Sequence, residues 1–327
     1  ERSPDARSAA AVLDEARAVR KGQIRQLYIP STPLTGKASK THTDVLDSSG
    51  AAGFTQGGDS ESYGVNFDVS WELDLWGRRR AARQVVDNDL AAARFSYEGT
   101  RAALAANVAQ SYFEARGLAV QLEDARETAR INGELREFST KKARAGLIAG
   151  SEADRAAADE AQSLAQVEDY QAQLAAAQRS LLILVGRGID PVASLPVEAT
   201  LAAAPPIPAT LPDALLARRP DIREAQARLA SASGNLKVNE LALLPTLTLT
   251  PGVGWSKSVS PAFPIAGASG TTSTTSRNWT LGGAVSIPVL NIPSLLADID
   301  AQNARTRQAA IAYEKAVQTA YGEAENA

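Results

Sequence analysis

The chain has 327 residues, with 34 basic and 37 acidic side chains for a formal net charge of −3; that is length enough for two ordinary domains and none of the basicity of a nucleic-acid binder. It contains no cysteine and no methionine, so disulfides, thiolate catalysis and thiolate metal sites are excluded. The single histidine, His42, lies in a polar Ser/Thr/Gly stretch and reads as a solvated loop residue, with no second histidine to share a metal or a proton.

No segment approaches the run of about twenty apolar residues that a membrane helix needs. A membrane protein is therefore open to this chain only as a closed β-barrel. Neither a metal site nor a cofactor site nor a catalytic constellation is expected, because the carboxylates are scattered along strand and helix faces rather than convergent.

Residues 1–28 read as a helix opened by Pro4-Asp5-x-Arg7-x-Ala9-x-Ala11-x-Leu13. The same pattern returns 216 residues later as Pro220-Asp221-x-Arg223-x-Ala225-x-Ala227-x-Leu229. The stretches downstream of the two copies also correspond: Leu27–Pro30 answers Ala242–Pro245, and Arg94–Glu98 answers Ala310–Glu314. A repeat this long implies a duplicated half-structure rather than a solenoid unit.

A strand pair is expected over 29–76. Its first strand is weak, alternating Pro30, Thr32, Leu34, Gly36 and Ala38 with Ser31, Thr35 and Lys37, and a Gly/Ser/Thr-rich loop spans about Ser39 to Ser62. The second strand is clear. Tyr63, Val65, Phe67, Val69, Trp71, Leu73 and Leu75 occupy one parity, and Gly64, Asn66, Asp68, Ser70, Glu72 and Asp74 the other. Trp76-Gly77-Arg78-Arg79-Arg80 comes directly after it; an interfacial aromatic trailed by cations suits anchoring at lipid phosphates, and a solvated basic helix start would read the same.

Residues 77–186 form a helical hairpin. The descending helix, from about Arg79 to Arg144, has no proline and repeats Leu90, Tyr97, Leu104 and Leu118 near heptad spacing, with Val108, Tyr112 and Leu122 between them; at about 1.5 Å per residue it reaches roughly 100 Å. It turns at 145–150 and restarts at Ser151, with Asp154 three residues on in a capping-box-like arrangement. The return, about Ser151 to Val185, ends at Gly186-Arg187-Gly188. A Pro-rich irregular segment occupies 187–219, and a second helix fills 220–244.

The second strand pair lies within 245–291, with a loop from about Ser258 to Ser276. Leu247, Leu249, Val253 and Trp255 alternate with Thr246, Thr248, Thr250 and Ser256, and Trp279, Leu281, Val285 and Ile287 with Asn278, Thr280 and Ser286. These runs approach the 9–11 residues or so of a tilted membrane strand. Trp71, Trp255 and Trp279 stand on the apolar parity towards strand ends, where an aromatic girdle would place them. Four strands cannot close a barrel, so oligomerisation is required. Residues 292–327 begin a second long helix.

Together, the half-repeat, Arg219-Pro220-Asp221-Ile222-Arg223 leading to Leu244-Pro245 and a strand, the junction Ser70-Trp71-Glu72-Leu73-Asp74-Leu75-Trp76-Gly77-Arg78, and the turn Arg144-Ala145-Gly146-Leu147 before Ser151-x-x-Asp154 resemble the outer membrane factor family of TolC- and OprM-type channels. The likeness covers essentially the whole chain and is closer to the lipoprotein-type efflux branch.

The resemblance implies a mainly α fold with transmembrane β. In a homotrimer, each protomer would give four strands to one twelve-stranded barrel in the outer membrane and long helices to a periplasmic α-barrel, girdled by an equatorial domain at 187–219. It implies passive export of small toxic compounds, with a periplasmic adaptor and an inner-membrane transporter as partners and outer-membrane lipids as surroundings. A type I protein secretion channel shares the fold and is the alternative; a periplasmic coiled-coil adaptor is a remote one, since it leaves the one-sided strands unexplained.

On the same resemblance, Asp68, Glu72 and Asp74 would place nine carboxylates towards the pore of a trimer. Any water-facing parity would also carry such residues. Trp71, Trp76, Arg78, Arg79, Trp255 and Trp279 would anchor the membrane interface, and Arg144, Gly146, Leu147, Ser151 and Asp154 would form the periplasmic tip that meets the adaptor. Laid along the repeat, the second tip, with the family's gate residues, would fall beyond Ala327, and a further helix and equatorial segment would precede Pro4; in family members that missing N-terminus would carry a secretion signal and often a lipid-modified cysteine.

Overall fold

The computed structural model describes residues 3–44, 58–200, 218–262 and 270–326. In chain order the elements are α1 (Pro4–Tyr28), β1 (Leu34–Thr43), β2 (Gly58–Asp68), β3 (Trp71–Leu73), α2 (Arg78–Arg144), α3 (Gly150–Leu184), a 3₁₀ turn (Val192–Ser194), α4 (Pro220–Leu241), β4 (Thr246–Pro261), β5 (Thr271–Ser286) and α5 (Ile292–Asn326). The chain forms two compact units. One comprises Glu1–Arg17, Ala91–Ala225 and Ala316–Ala327; the other comprises Ala18–Leu90 and Gln226–Lys315. Among the described residues no helix is long and apolar enough to cross a membrane.

The second unit is built on an antiparallel sheet in the order β1-β2-β4-β5, with β3 also paired to β4. β2 and β3 lie on one continuous register against β4, since Asp68 faces Gly252 and Trp71 faces Leu249. The strand read from Tyr63 to Leu75 is thus interrupted at 69–70, and prolines are the cause. Val69 N–H donates to Pro251 O at 2.9 Å and Asp68 N–H to Pro33 O at 3.3 Å, but neither proline has an N–H to return. The ladder recovers at Ser31 and Ser70, which exchange both backbone bonds.

The strands run further outward than the alternation suggested. β1 continues to Thr43, β4 to Pro261, and β5 begins at Thr271. Residues 39–43, 58–62, 258–261 and 271–276, assigned to loops from composition, are paired strand; residues 45–57 and 263–269 of those loops lie outside the described residues. Polar strand ends look like loops because hydrogen bonding across the ladder, not side-chain hydropathy, holds them. His42 is accordingly a strand residue, exposed, bonding to Asp59 Oδ1 at 2.6 Å and Asp44 Oδ1 at 3.0 Å.

Four helix segments belong to this unit and pack through small residues. A Cβ on Gly234 of α4 would lie 2.8 Å from Val85 Cγ2 of α2, so glycine permits the close approach there. Ser231 donates to Asp89 at 2.5 Å and Arg20 to Asp87 at 2.7 Å. Gln302 and Thr306 of α5 donate to Ala232 O at 3.2 and 3.3 Å.

The other unit is helical. The buried positions of α2 within it are Ala92, Ala115, Ala119, Leu122 and Ala129, joined by Ala156, Ser163, Leu181 and Leu182 of α3. Of the large residues predicted to line α2 here, Leu122 is buried, whereas Tyr97, Leu104, Val108 and Leu118 are half-buried and Tyr112 is exposed; alanines take most of the buried positions. Alanines let the backbones approach, which leaves most of the wide side chains on the flanks of the contact.

Both ends of the hairpin close on glycine. Gly146 has φ +74°, with Leu147 N–H donating to Lys142 O and Gly146 N–H to Ala143 O at 2.9 and 3.0 Å. Gly186, at φ +80°, repeats the arrangement with Arg187 on Leu182 O and Gly186 on Ile183 O. Each pair of bonds satisfies carbonyls that the helix leaves open. The predicted capping box is absent: α3 is capped at Ala149 with no side-chain bond, so Ser151 already lies in its first turn.

Candidate functional site: a two-faced sheet, its base and the hairpin end

Cross-strand register sorts the sheet into two chemically distinct faces. Val65 faces Trp255, Phe67 faces Val253 and Trp71 faces Leu249, while Val253 faces Trp279 and Leu247 faces Val285. Nothing within the described chain covers this apolar face, since Trp279 and Leu281 remain 78% and 73% exposed. Residues directly opposite share a face, so the other face carries Thr35, Asn66, Gly254 and Asn278 in one row and Asp68, Gly252 and Thr280 in the next.

The apolar face ends along an oblique line. The last apolar residue before a polar side chain is Trp279 on β5 (then Arg277), Trp255 on β4 (then Lys257), Tyr63 on β2 (then Glu61) and Ala38 on β1 (then Lys40). Trp279 is level with Val253, whereas Tyr63 is level with Lys257 and Ala38 with Tyr63. The line therefore climbs four residues across three strand spacings, about 13 Å along for about 14 Å across, and becomes horizontal if the strands tilt by about 40°. Membrane β-strands tilt by about 35–45°.

This corrects the placement of the tryptophans. Trp255 and Trp279 sit in the middle of 16-residue strands, not towards their ends, because the strands extend beyond the apolar band. They nevertheless top that band. Trp71 lies near its opposite edge, paired with Leu249.

On the polar face the three carboxylates do not stand as three free charges. Glu72 Oε1 accepts from Arg78 Nη2 at 2.5 Å, and Asp74 Oδ1 accepts from the Arg79 backbone N–H at 3.2 Å, at the start of α2. Asp68 has no ion pair among the described residues. It leans over Gly252, where a Cβ would lie 2.7 Å from Asp68 Oδ1 and 2.9 Å from Thr280 Oγ1. Asn66 and Asn278 close over Gly254 in the same way.

Lys37, which the alternation put on the polar parity without naming it among the pore-facing residues, is opposite Gly64 and shares the polar face. Sequence reading missed the reason for Gly252, Gly254 and Gly282: all stand on the polar parity, between longer polar neighbours. Glycines at successive same-face positions were the available signal.

At the sheet's base, Trp76 Nε1–H donates to Pro245 O at 2.8 Å, which ties the β3–α2 junction to the α4–β4 junction. Gly77, at φ +79°, makes the turn into α2. Arg78 is committed to Glu72, so among the predicted interface cations it is Arg79 whose guanidinium has no ion pair among the described residues.

At the far end of the hairpin, Arg144, Gly146, Leu147, Ser151 and Asp154 come together around the turn. Leu147 is 72% exposed; Ser151, in the first turn of α3, and Asp154, just past it, are both exposed.

The Arg-Pro-Asp motif has a structural role. Arg219 bonds Asp221 at 2.8 Å and Glu323 of α5 at 2.6 Å, with Pro220 as the first helical residue of α4, where its missing N–H costs no bond. The hydrogen bond from Arg219 holds the Asp221 carboxyl below its ordinary pKa, and Arg219 itself is raised. Arg223 sits 4.4 Å over the Phe95 ring. After α3, Arg179 donates to Gly188 O and Asp190 O at 3.1 and 2.8 Å, which orders the start of the Pro-rich segment; residues 201–217 of that segment lie outside the described residues.

A one-sided sheet with aromatics at the edge of its apolar band and, in the other unit, a long alanine-packed hairpin define a class, and comparison identifies it. The family model for outer membrane efflux proteins matches residues 1–187 and 211–327: the chain belongs to that family. The toluene efflux pump outer membrane protein TtgC of Pseudomonas putida (strain DOT-T1E) is 28% identical over 323 residues, covering 98% of this chain and 63% of TtgC. The cation efflux system protein CusC of Escherichia coli O6:H1 is 28% identical over 331 residues, covering 99% of this chain and 66% of CusC. The solved outer-membrane channel OprN superposes with a TM-score of 0.81 at 27% identity, over 99% of this chain and 70% of OprN. The chain thus spans less than two thirds of the length of TtgC and of CusC.

Proposed function

We propose that this chain is the outer-membrane channel component of a tripartite efflux system, acting as a passive exit duct for small toxic molecules. The observation that carries the reading is the oblique upper edge of the apolar face, which becomes level at the tilt of a membrane strand. Exposed apolar residues on one face and hydroxyls, amides and charges on the other are what lipid outside and water inside demand. Among the described residues β1 and β5 each have one unpaired edge, and backbone groups cannot be left open in hydrocarbon.

Three copies pairing edge to edge would close a twelve-stranded barrel, with the helices continuing into the periplasm. The duct performs no chemistry: transport results from a water-filled path, with energy supplied by an inner-membrane transporter through a periplasmic adaptor. Arg144, Gly146, Leu147, Ser151 and Asp154 would meet that adaptor, because they occupy an exposed hairpin end with an apolar tip. Asp68 would bias the lumen towards cations, and Trp71, Trp76, Arg79, Trp255 and Trp279 would face the lipid interfaces.

Extraction of the full-length protein in detergent, with mass determination and planar-bilayer recording, tests this. A trimer with discrete conductance steps is expected; a soluble monomer without conductance would overturn it.

A further inference from the structure

We infer that Lys257 and Arg277, together with the apolar groove beside them, form a seat for a phosphorylated lipid of the outer leaflet; this rests on the membrane-channel reading above. Both cations lie on the apolar parity, immediately beyond its edge. Arg277 is directly opposite Trp255, and Lys257 is opposite Thr275, so the two are diagonal neighbours with backbones about 7 Å apart. Two cations at that spacing can both reach one phosphate, whose oxygens accept charge-assisted hydrogen bonds.

The neighbouring carboxylates already have partners. Lys40 pairs with Asp59 at 3.1 Å and Glu61 at 3.5 Å, His42 bonds Asp59 and Asp44, and Tyr63 donates its hydroxyl to Glu61 at 3.2 Å. Lys257 and Arg277 have no carboxylate partner among the described residues, and both are exposed. The β4–β5 side of the outward face is therefore cationic, while on the β1–β2 side carboxylates outnumber cations.

Beside these cations is room for hydrocarbon. A groove lined by Leu34, Val65, Phe67, Val253, Trp255 and Trp279 ends at Arg277. A second, lined by Val69, Pro251 and Leu281, shares Phe67, Val253 and Trp279 with it. A headgroup phosphate at the cations and acyl chains along the grooves match a lipid, and not a free anion. Height agrees as well: Lys257 is ten residues beyond Leu247, about 33 Å along the strand and about 25 Å along the membrane normal at a 40° tilt, the height of an outer-membrane apolar band.

The test uses the full-length protein in non-ionic detergent, titrated with phosphorylated lipid A and with the same lipid dephosphorylated. Bound lipid is counted by native mass spectrometry, and bilayer conductance is recorded on the same preparation. Wild type is expected to retain the phosphorylated lipid, and K257Q/R277Q to retain it at least about tenfold more weakly with conductance unchanged, whereas K40Q behaves as wild type. Conducting protein in which the double variant binds as wild type, in which the dephosphorylated lipid binds equally, or in which inorganic phosphate displaces the lipid would overturn this inference alone. A preparation without trimers or conductance would overturn the channel reading and this one with it.

Discussion

Glu72 and Arg78 join the last paired strand turn to the first turn of α2, with Arg78 Nη2 donating to Glu72 Oε1 at 2.5 Å. Each side chain is about a third exposed, at 31% and 36%, so solvent screens the pair only in part. The pair fixes the strand-to-helix junction and removes one carboxylate from the count of free charges on the polar face. A double-mutant cycle with E72Q and R78Q should give a coupling of about 0.5–1 kcal/mol in thermal unfolding; a coupling near zero would remove the pair from that role.

Ion preference should then depend on Asp68 more than on the other two carboxylates. D68N is expected to shift the single-channel reversal potential towards anions, while D74N leaves it nearly unchanged, because Asp74 is held at the start of α2. Equal shifts in the two variants would contradict the assignment.

Gly146 holds φ at +74° in the turn that closes the hairpin. A side chain there meets no neighbour, and the backbone alone resists it. G146V should lower stability by about 1–2 kcal/mol, with G146N milder since asparagine tolerates this conformation. Thermal melting monitored by helical circular dichroism separates them; equal melting points would show the turn to be unstrained.

Gly234 faces Val85 at a distance that admits no Cβ without movement. G234L should cost about 1–3 kcal/mol through overpacking, and V85A should recover part of the loss. Failure of the second substitution to rescue the first would place the strain elsewhere.

Acid sensitivity should appear at Asp221, whose carboxyl is held below its ordinary pKa by Arg219. With a depressed folded-state value, its stabilisation is complete above the unfolded pKa of about 3.9 and fades as pH falls through the folded value. Arg219 stays charged throughout and adds no slope. Apparent melting temperature measured from pH 6 to pH 3 should therefore fall less steeply in D221N than in wild type, from a lower starting point.

The amino-acid sequence alone determined the duplication, the long α2–α3 hairpin, the glycine turns and the parity of the sheet faces. The duplication is a likeness between two stretches of the sequence itself, and the others are local: a period of two or 3.6, or one residue's allowed backbone angles, is written within a few neighbouring positions. Even the helix limits come from absent prolines and a glycine at 146. Only the tertiary structure decided where the polar strand ends lie, since residues such as 271–276 are held by partners on a neighbouring strand. It alone paired Glu72 with Arg78, gave most buried positions of α2 to alanines and brought Lys257 beside Arg277. Those relationships depend on register between strands and on the distance between helix axes, and neither quantity is contained in the spacing of residues along one segment.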